Sequence, residues 1–98
     1  MKLFNSPPMK ETVKRLLRSQ MAAKGVEYRE LSVRLAQLGV EQSESNLRSK
    51  VTNGSLGAQL FIYIQLALGI STLSLAHVRE ILDDVSSELD GPETGGGS

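Results

Sequence analysis

The stretch YRELSVRLAQLGVEQSESNLRSKVTN, residues 28–53, decides the fold. Leu31, Leu35 and Leu38 recur at i, i+4 and i+7, which puts all three on one face of a helix. Gly39 is a stop for that helix, since glycine alone takes the left-handed closing conformation at no steric cost. Ser43 is suited to cap a second helix, and Glu44 puts negative charge in its first turn, where the helix dipole favours it. That second helix runs to about Asn53, where Asn53-Gly54 ends it. It is apolar only at Leu47 and Val51, one turn apart. Its other positions after the first turn carry no acid: Ser45, Asn46, Arg48, Ser49, Lys50, Thr52 and Asn53. At the helical period, Ser45, Ser49, Thr52 and Asn53 lie opposite the apolar pair. Asn46 and Arg48 flank that face, and Lys50 lies nearer the core edge.

Three more helices surround this pair. Residues 10–24 form the first, with Val13, Leu16, Leu17 and Met21 on one face and Gly25 as its stop. Residues 58–68 form the fourth, facing inward with Leu60, Phe61, Ile64, Ala67 and Leu68 and ending at Gly69. Residues 73–89 form the fifth. The expected architecture is an all-α, compact bundle of about five helices occupying residues 10–89. A flexible arm, residues 1–9, is halted by Pro7-Pro8. A polar, disordered tail covers residues 90–98, and its last four residues read as a linker.

Composition narrows the function classes. A chain of 98 residues holds one domain, and 40% apolar residues can fill its core. With no cysteine and no tryptophan, disulfide scaffolds and cysteine-ligated metal sites are excluded. The single histidine, His77, cannot by itself form a metal site or a catalytic triad. The expectation is therefore no enzyme, no catalytic residue, no metal and no cofactor. Residues 51–77 carry no charged side chain. Asn53, Gln59, Gln65 and three glycines interrupt them, so they read as a buried core helix and not a membrane span. Residues 1–9 contain no apolar core of a secretory signal. The expected location is the cytoplasm, with the nucleoid.

The net charge is zero, but it is unevenly distributed. Residues 1–38 hold eight Lys/Arg against three Asp/Glu, and residues 79–98 hold one against six. A polyanion would meet the basic front. Two short helices joined by a glycine-containing connection are the outline of a helix-turn-helix. The polar helix has the chemistry of a recognition helix: Arg bonds guanine, Asn bonds adenine, and short hydroxyls let the helix lie deep in the major groove.

The residues also resemble known families. Residues 25–32, Arg34-Leu-Ala, Gly39-Val, Asn53-Gly54 and the helix ending in Ala67-Leu-Gly-Ile70 resemble the lambda-repressor-like helix-turn-helix family. More specifically, Gly25 to Leu31, Ala36 to Glu41 and Asn46 to Lys50 are similar to a small proteobacterial domain family of unknown function. The repressor resemblance implies a bundle with the third helix in the major groove and Tyr28 where a phosphate contact often lies. Two departures bear on it. The connection 39–43 is longer than the usual tight turn, and Leu47/Val51 are spaced i, i+4 where i, i+3 is commoner. Both imply a rotated third helix.

The candidate DNA-binding residues are Tyr28, Arg29, Ser45, Asn46, Arg48, Ser49, Lys50, Thr52 and Asn53. For Tyr28 the alternatives are a phosphate contact or ring packing. For Asn53 they are a phosphate contact or a helix-end role. Leu75, Val78, Leu82, Val85 and Leu89 are spaced 3, 4, 3, 4, the seam of a helix pair, so the fifth helix is the expected homodimer interface. The leading expectation is a transcription regulator that binds double-stranded DNA, works as a homodimer and acts through a protein partner such as RNA polymerase. The alternative is a protein-interaction module, adaptor or antitoxin-like, that keeps the helix-turn-helix fold without DNA readout.

Overall fold

Two prolines open the first helix; they do not hold it off. In the computed structural model, which describes residues 6–97 and side chains as far as Glu88, α1 spans Pro7–Lys24. Ser6 caps it, its hydroxyl accepting from the Met9 N–H at 3.2 Å. Pro7 and Pro8 fill the first two helical positions, where a missing N–H costs nothing because no helical partner exists there. The helix thus starts three residues before the expected Lys10. The expected arm overlaps it at Pro7, Pro8 and Met9, and residues 1–5 lie outside the described residues.

The remaining helices are α2 (Tyr28–Gln37), α3 (Glu44–Asn53), α4 (Ala58–Ala67) and α5 (Leu75–Gly97). Helices α1 and α3 end at Gly25 and Gly54, both left-handed at φ 67° and 61°. Ser43 caps α3 as its sequence position suggests, accepting from the Asn46 N–H at 3.1 Å. Helix α5 begins at Leu75, because the Ser74 hydroxyl accepts from the His77 N–H at 3.2 Å and so acts as its cap. Leu73 is left outside the helix. The backbone of α5 continues as helix through residues 90–97, where a disordered tail was expected, and the side chains from residue 89 onward lie outside the description. No described helix is long and apolar enough to cross a membrane.

The core gathers Leu17 and Met21 from α1, Val26, Leu31 and Leu35 from α2 and its entry, Leu47 and Val51 from α3, and Ile64 and Leu68 from α4 and its end. Leu38 departs from expectation. It follows the last turn of α2, so it leaves the helical register of Leu31 and Leu35 and stands 44% exposed. One polar pair crosses the interior. Gln20 on α1 and the buried Gln65 on α4 exchange amide hydrogen bonds at 3.0 and 2.7 Å. This reciprocal pairing satisfies amide groups whose burial alone would be costly. Arg34 on α2 donates to the Ala67 carbonyl at 3.2 Å. It brings a cation to the end of α4, where carbonyls lack helical partners.

Helix α5 lies along α1. Arg15 links them, donating two hydrogen bonds to the Glu88 carboxylate at 2.6 and 3.1 Å and one to Glu11 at 2.9 Å. The hydrogen bond to Arg15 holds the Glu88 carboxyl below its ordinary value. Hydrogen bonds to Lys14 and Arg15 do the same for Glu11. A carboxylate with a lowered folded-state pKa stabilises the fold above the unfolded value, about 4.3 for glutamate, and that contribution fades as pH falls through the folded value. Acidification below about pH 4.3 should therefore loosen α5 from α1. Thermal melts of Glu88→Gln should lose part of the acid-side slope seen in the native chain. The change should be modest, because water screens these exposed groups. An unchanged slope would show that the α1–α5 link does not form in solution.

Candidate nucleic-acid interface

Helix α3 is held by two side chains. Leu47 and Val51 are wholly buried, while Ser45, Asn46, Arg48, Ser49, Thr52 and Asn53 are exposed and Lys50 is half-buried. The helix packs against α1 and α2. Its orientation is also fixed by the long connection that precedes it. The Val40 N–H returns to the Leu35 carbonyl at 2.9 Å. The Ser32 hydroxyl donates to the Gln42 carbonyl at 2.6 Å. These bonds tie the segment between α2 and α3 to α2 itself, so its extra length does not leave it loose.

Around α3 the charged groups interlock. The Arg48 guanidinium stands 5.1 Å from the Tyr28 ring centroid, within cation–π range. It also donates to Glu44 at 3.1 Å, and Arg29 approaches the same carboxylate at 4.0 Å. Tyr28 therefore acts as a platform for Arg48. Its hydroxyl is buried and has no hydrogen-bond partner among the described residues, so it is not offered to a phosphate in this conformation. Of the two roles open to Tyr28, the geometry displays ring packing. Asn53 is exposed at the last turn of α3 beside the Gly54 cap.

Two cations outside the candidate set border this face; of these, the sequence reads Lys10 as a residue that could touch DNA or be disordered, and it does not single out Arg18. Arg18 on α1 donates to the Thr52 hydroxyl at 3.1 Å. Lys10 lines the same depression as Thr52, Asn53 and Ser55. Their local sequence carries no sign of this placement, since it depends on how α1 crosses α3. The basic excess of the first 38 residues is the one signal that pointed their way.

Residues 9–73 match a domain of unknown function, DUF6471. The chain belongs to the DUF6471 family. No curated protein and no solved structure matches the chain. The DUF6471 match accords with the expected small domain family lacking an assigned activity, and it covers most of α1 and all of α2, α3 and α4. It stops at Leu73, before α5 begins.

The expected dimer seam therefore lies beyond the matched DUF6471 residues, and the structure divides it. Val85 is 1% exposed, buried within its own chain where α5 follows α1. Val78 and Leu82 are half-buried, and Leu75 is 72% exposed. Leu89 lies outside the described side chains. Part of the seam thus serves the fold of the single chain.

Proposed function

We propose that this protein is a non-catalytic regulator that binds duplex DNA, with α2 and α3 as its helix-turn-helix and α3 seated in the major groove. One observation carries the reading. Helix α3 buries only Leu47 and Val51, and it turns a polar surface with one acid to the outside. Asn46 and Arg48 are the base-reading groups, and Ser45, Ser49 and Thr52 allow close approach. Arg18, Arg29, Lys50 and Lys10 meet the phosphates. In the free protein Glu44 occupies Arg48 and Arg29; a phosphate or a guanine edge takes its place on binding, as a charge-assisted partner of the same kind. A protein of this kind acts by occupying a promoter within the nucleoid, and it blocks or recruits a partner such as RNA polymerase. A second reading, a protein-interaction module on the same fold, draws on the apolar groove between α1, α4 and α5.

Fluorescence anisotropy with a random-sequence duplex at two salt concentrations separates the two readings. Binding should weaken steeply with salt, by about 0.9 in the log–log slope for each phosphate neutralised. On a selected site, Arg48→Ala should cost about 1–3 kcal/mol, the range for a lost bidentate base contact. Arg79→Ala should cost little, since Arg79 pairs with Asp83 at 3.1 Å on the acidic α5. No binding at low salt, or equal losses from the two variants, would falsify the assignment of α3 as the reading helix.

A further inference from the structure

Helix α4 turns inward the face read from its sequence, and its other side has no cover among the described residues. Ile62, Tyr63 and Leu66 are 56%, 38% and 58% exposed. Their spacing places them on one face, and with Ala58 and Gln59 they line a single shallow apolar depression. Ala58 and Ile62 also line the neighbouring groove of about 350 Å³ between α1, α4 and the start of α5, whose rim carries the 72% exposed Leu75. The two depressions share these residues and form one continuous apolar surface. Scattered exposed hydrophobic residues are ordinary, but a contiguous patch marks a contact site.

We propose that this surface is where a second copy of the chain docks, giving a homodimer paired through the outer face of α4. The first argument is area. Ile62, Tyr63, Leu66 and Leu75 leave the equivalent of about two whole large side chains in water, on the order of 400 Å². Two copies double this to roughly 800 Å². Ala58, Gln59 and the rim bring the total to about the 1,000 Å² that a specific interface needs. The second argument is shape. An isologous pair must present both halves of its fit on one patch. Here projecting side chains on α4 adjoin a groove that can receive them. The third is charge. Residues 51–77 contain no Asp, Glu, Lys or Arg, so a two-fold axis through α4 brings no like charges together. The pairing leaves Val85 in the core of its own chain, which a seam along α5 would have to share. It stands independently of whether α3 binds DNA.

Sedimentation of the full chain from micromolar to near-millimolar concentration tests the proposal. The native chain should form a species of twice 10.6 kDa. Leu66→Asp should weaken pairing by about 30-fold or more, as expected for an interface hot spot, with the melting curve of the monomer unchanged. Amide spectra of the native chain across a dilution series give a readout that needs no variant. Shifts should centre on residues 58–66 and on Leu75. A monomer at every concentration would overturn the proposal. So would pairing that survives Leu66→Asp, or dilution shifts centred on residues 78–88 of α5.

Discussion

Gly54→Ala should lower the melting temperature by at least about 10 °C, the largest loss expected from any single methyl group added to this chain. Two costs combine. Gly54 sits at φ 61°, where any side chain is strained by about 1–2 kcal/mol. An added Cβ would also lie 2.7 Å from the Lys10 carbonyl carbon and 2.8 Å from its Cα, and closer still to the carbonyl oxygen. The obstacle is the backbone of α1, which cannot rotate away as a side-chain tip could. The end of α3 would have to lift from α1, adding an overpacking cost of about 1–3 kcal/mol. The cap would suffer too, since the Gly54 and Ser55 N–H groups return to the Val51 and Lys50 carbonyls at 3.0 Å. Gly39→Ala is the matched control. Gly39 has φ 86° but no atom within 4 Å of an added Cβ, so it carries the conformational cost alone. Differential scanning calorimetry of both variants isolates the contact. Equal losses would mean that α1 and the end of α3 do not touch in solution.

Leu47→Ala should destabilise the fold by about 2–5 kcal/mol, a large part of the stability of a domain this size. Leu47 is fully buried in the core cluster, on a helix packed against α1 and α2, so its truncation leaves a cavity. The loss should fall unevenly. Helix α3 has only Val51 as its other buried anchor, so its amides should exchange with solvent sooner than those of α4. Urea titration gives the total, and hydrogen exchange shows where it falls. Ser49→Ala, on the outer face of the same helix, should stay within about 0.5 kcal/mol of the native chain. If Leu47→Ala left α3 protected, the helix would have to be held by more than its two buried side chains. Any interface built on it would then be less sensitive to the core than proposed here.

These two sites show how different kinds of information reside in the chain. Gly39, the Ser43 cap and the Leu47/Val51 pair were legible from residues 28–53, and Gly25, Gly54 and Gly69 from the residues beside them, because each signal acts within one or two turns of backbone. Pro7 and Pro8 were also a local signal, one that marks a helix start as well as a stop; the Ser6 cap decided between the two. Periodicity named Leu38 as a core residue, and only the end of α2 one residue earlier turned it outward. Tertiary packing decided the rest. It set Arg18 against Thr52, buried the Tyr28 hydroxyl, placed Arg48 over the Tyr28 ring and buried Val85 where α5 follows α1. An amphipathic pattern states which face of a helix is apolar; it does not state which neighbour covers that face. In α4 the residues read as facing inward, Leu60, Phe61, Ile64, Ala67 and Leu68, are the buried and half-buried ones, while Ile62, Tyr63 and Leu66 stay exposed. The close approach of Gly54 to Lys10 joins residues forty-four positions apart, and no spacing rule along the chain encodes it. The sequence by itself determined five helices, the Ser43 cap, the glycines that close α1 and α3, and a polar third helix. The packing of α1 across α3 and along α5 decided which cations border that helix and which residues of the α5 seam are buried, because only the folded chain brings distant surfaces together.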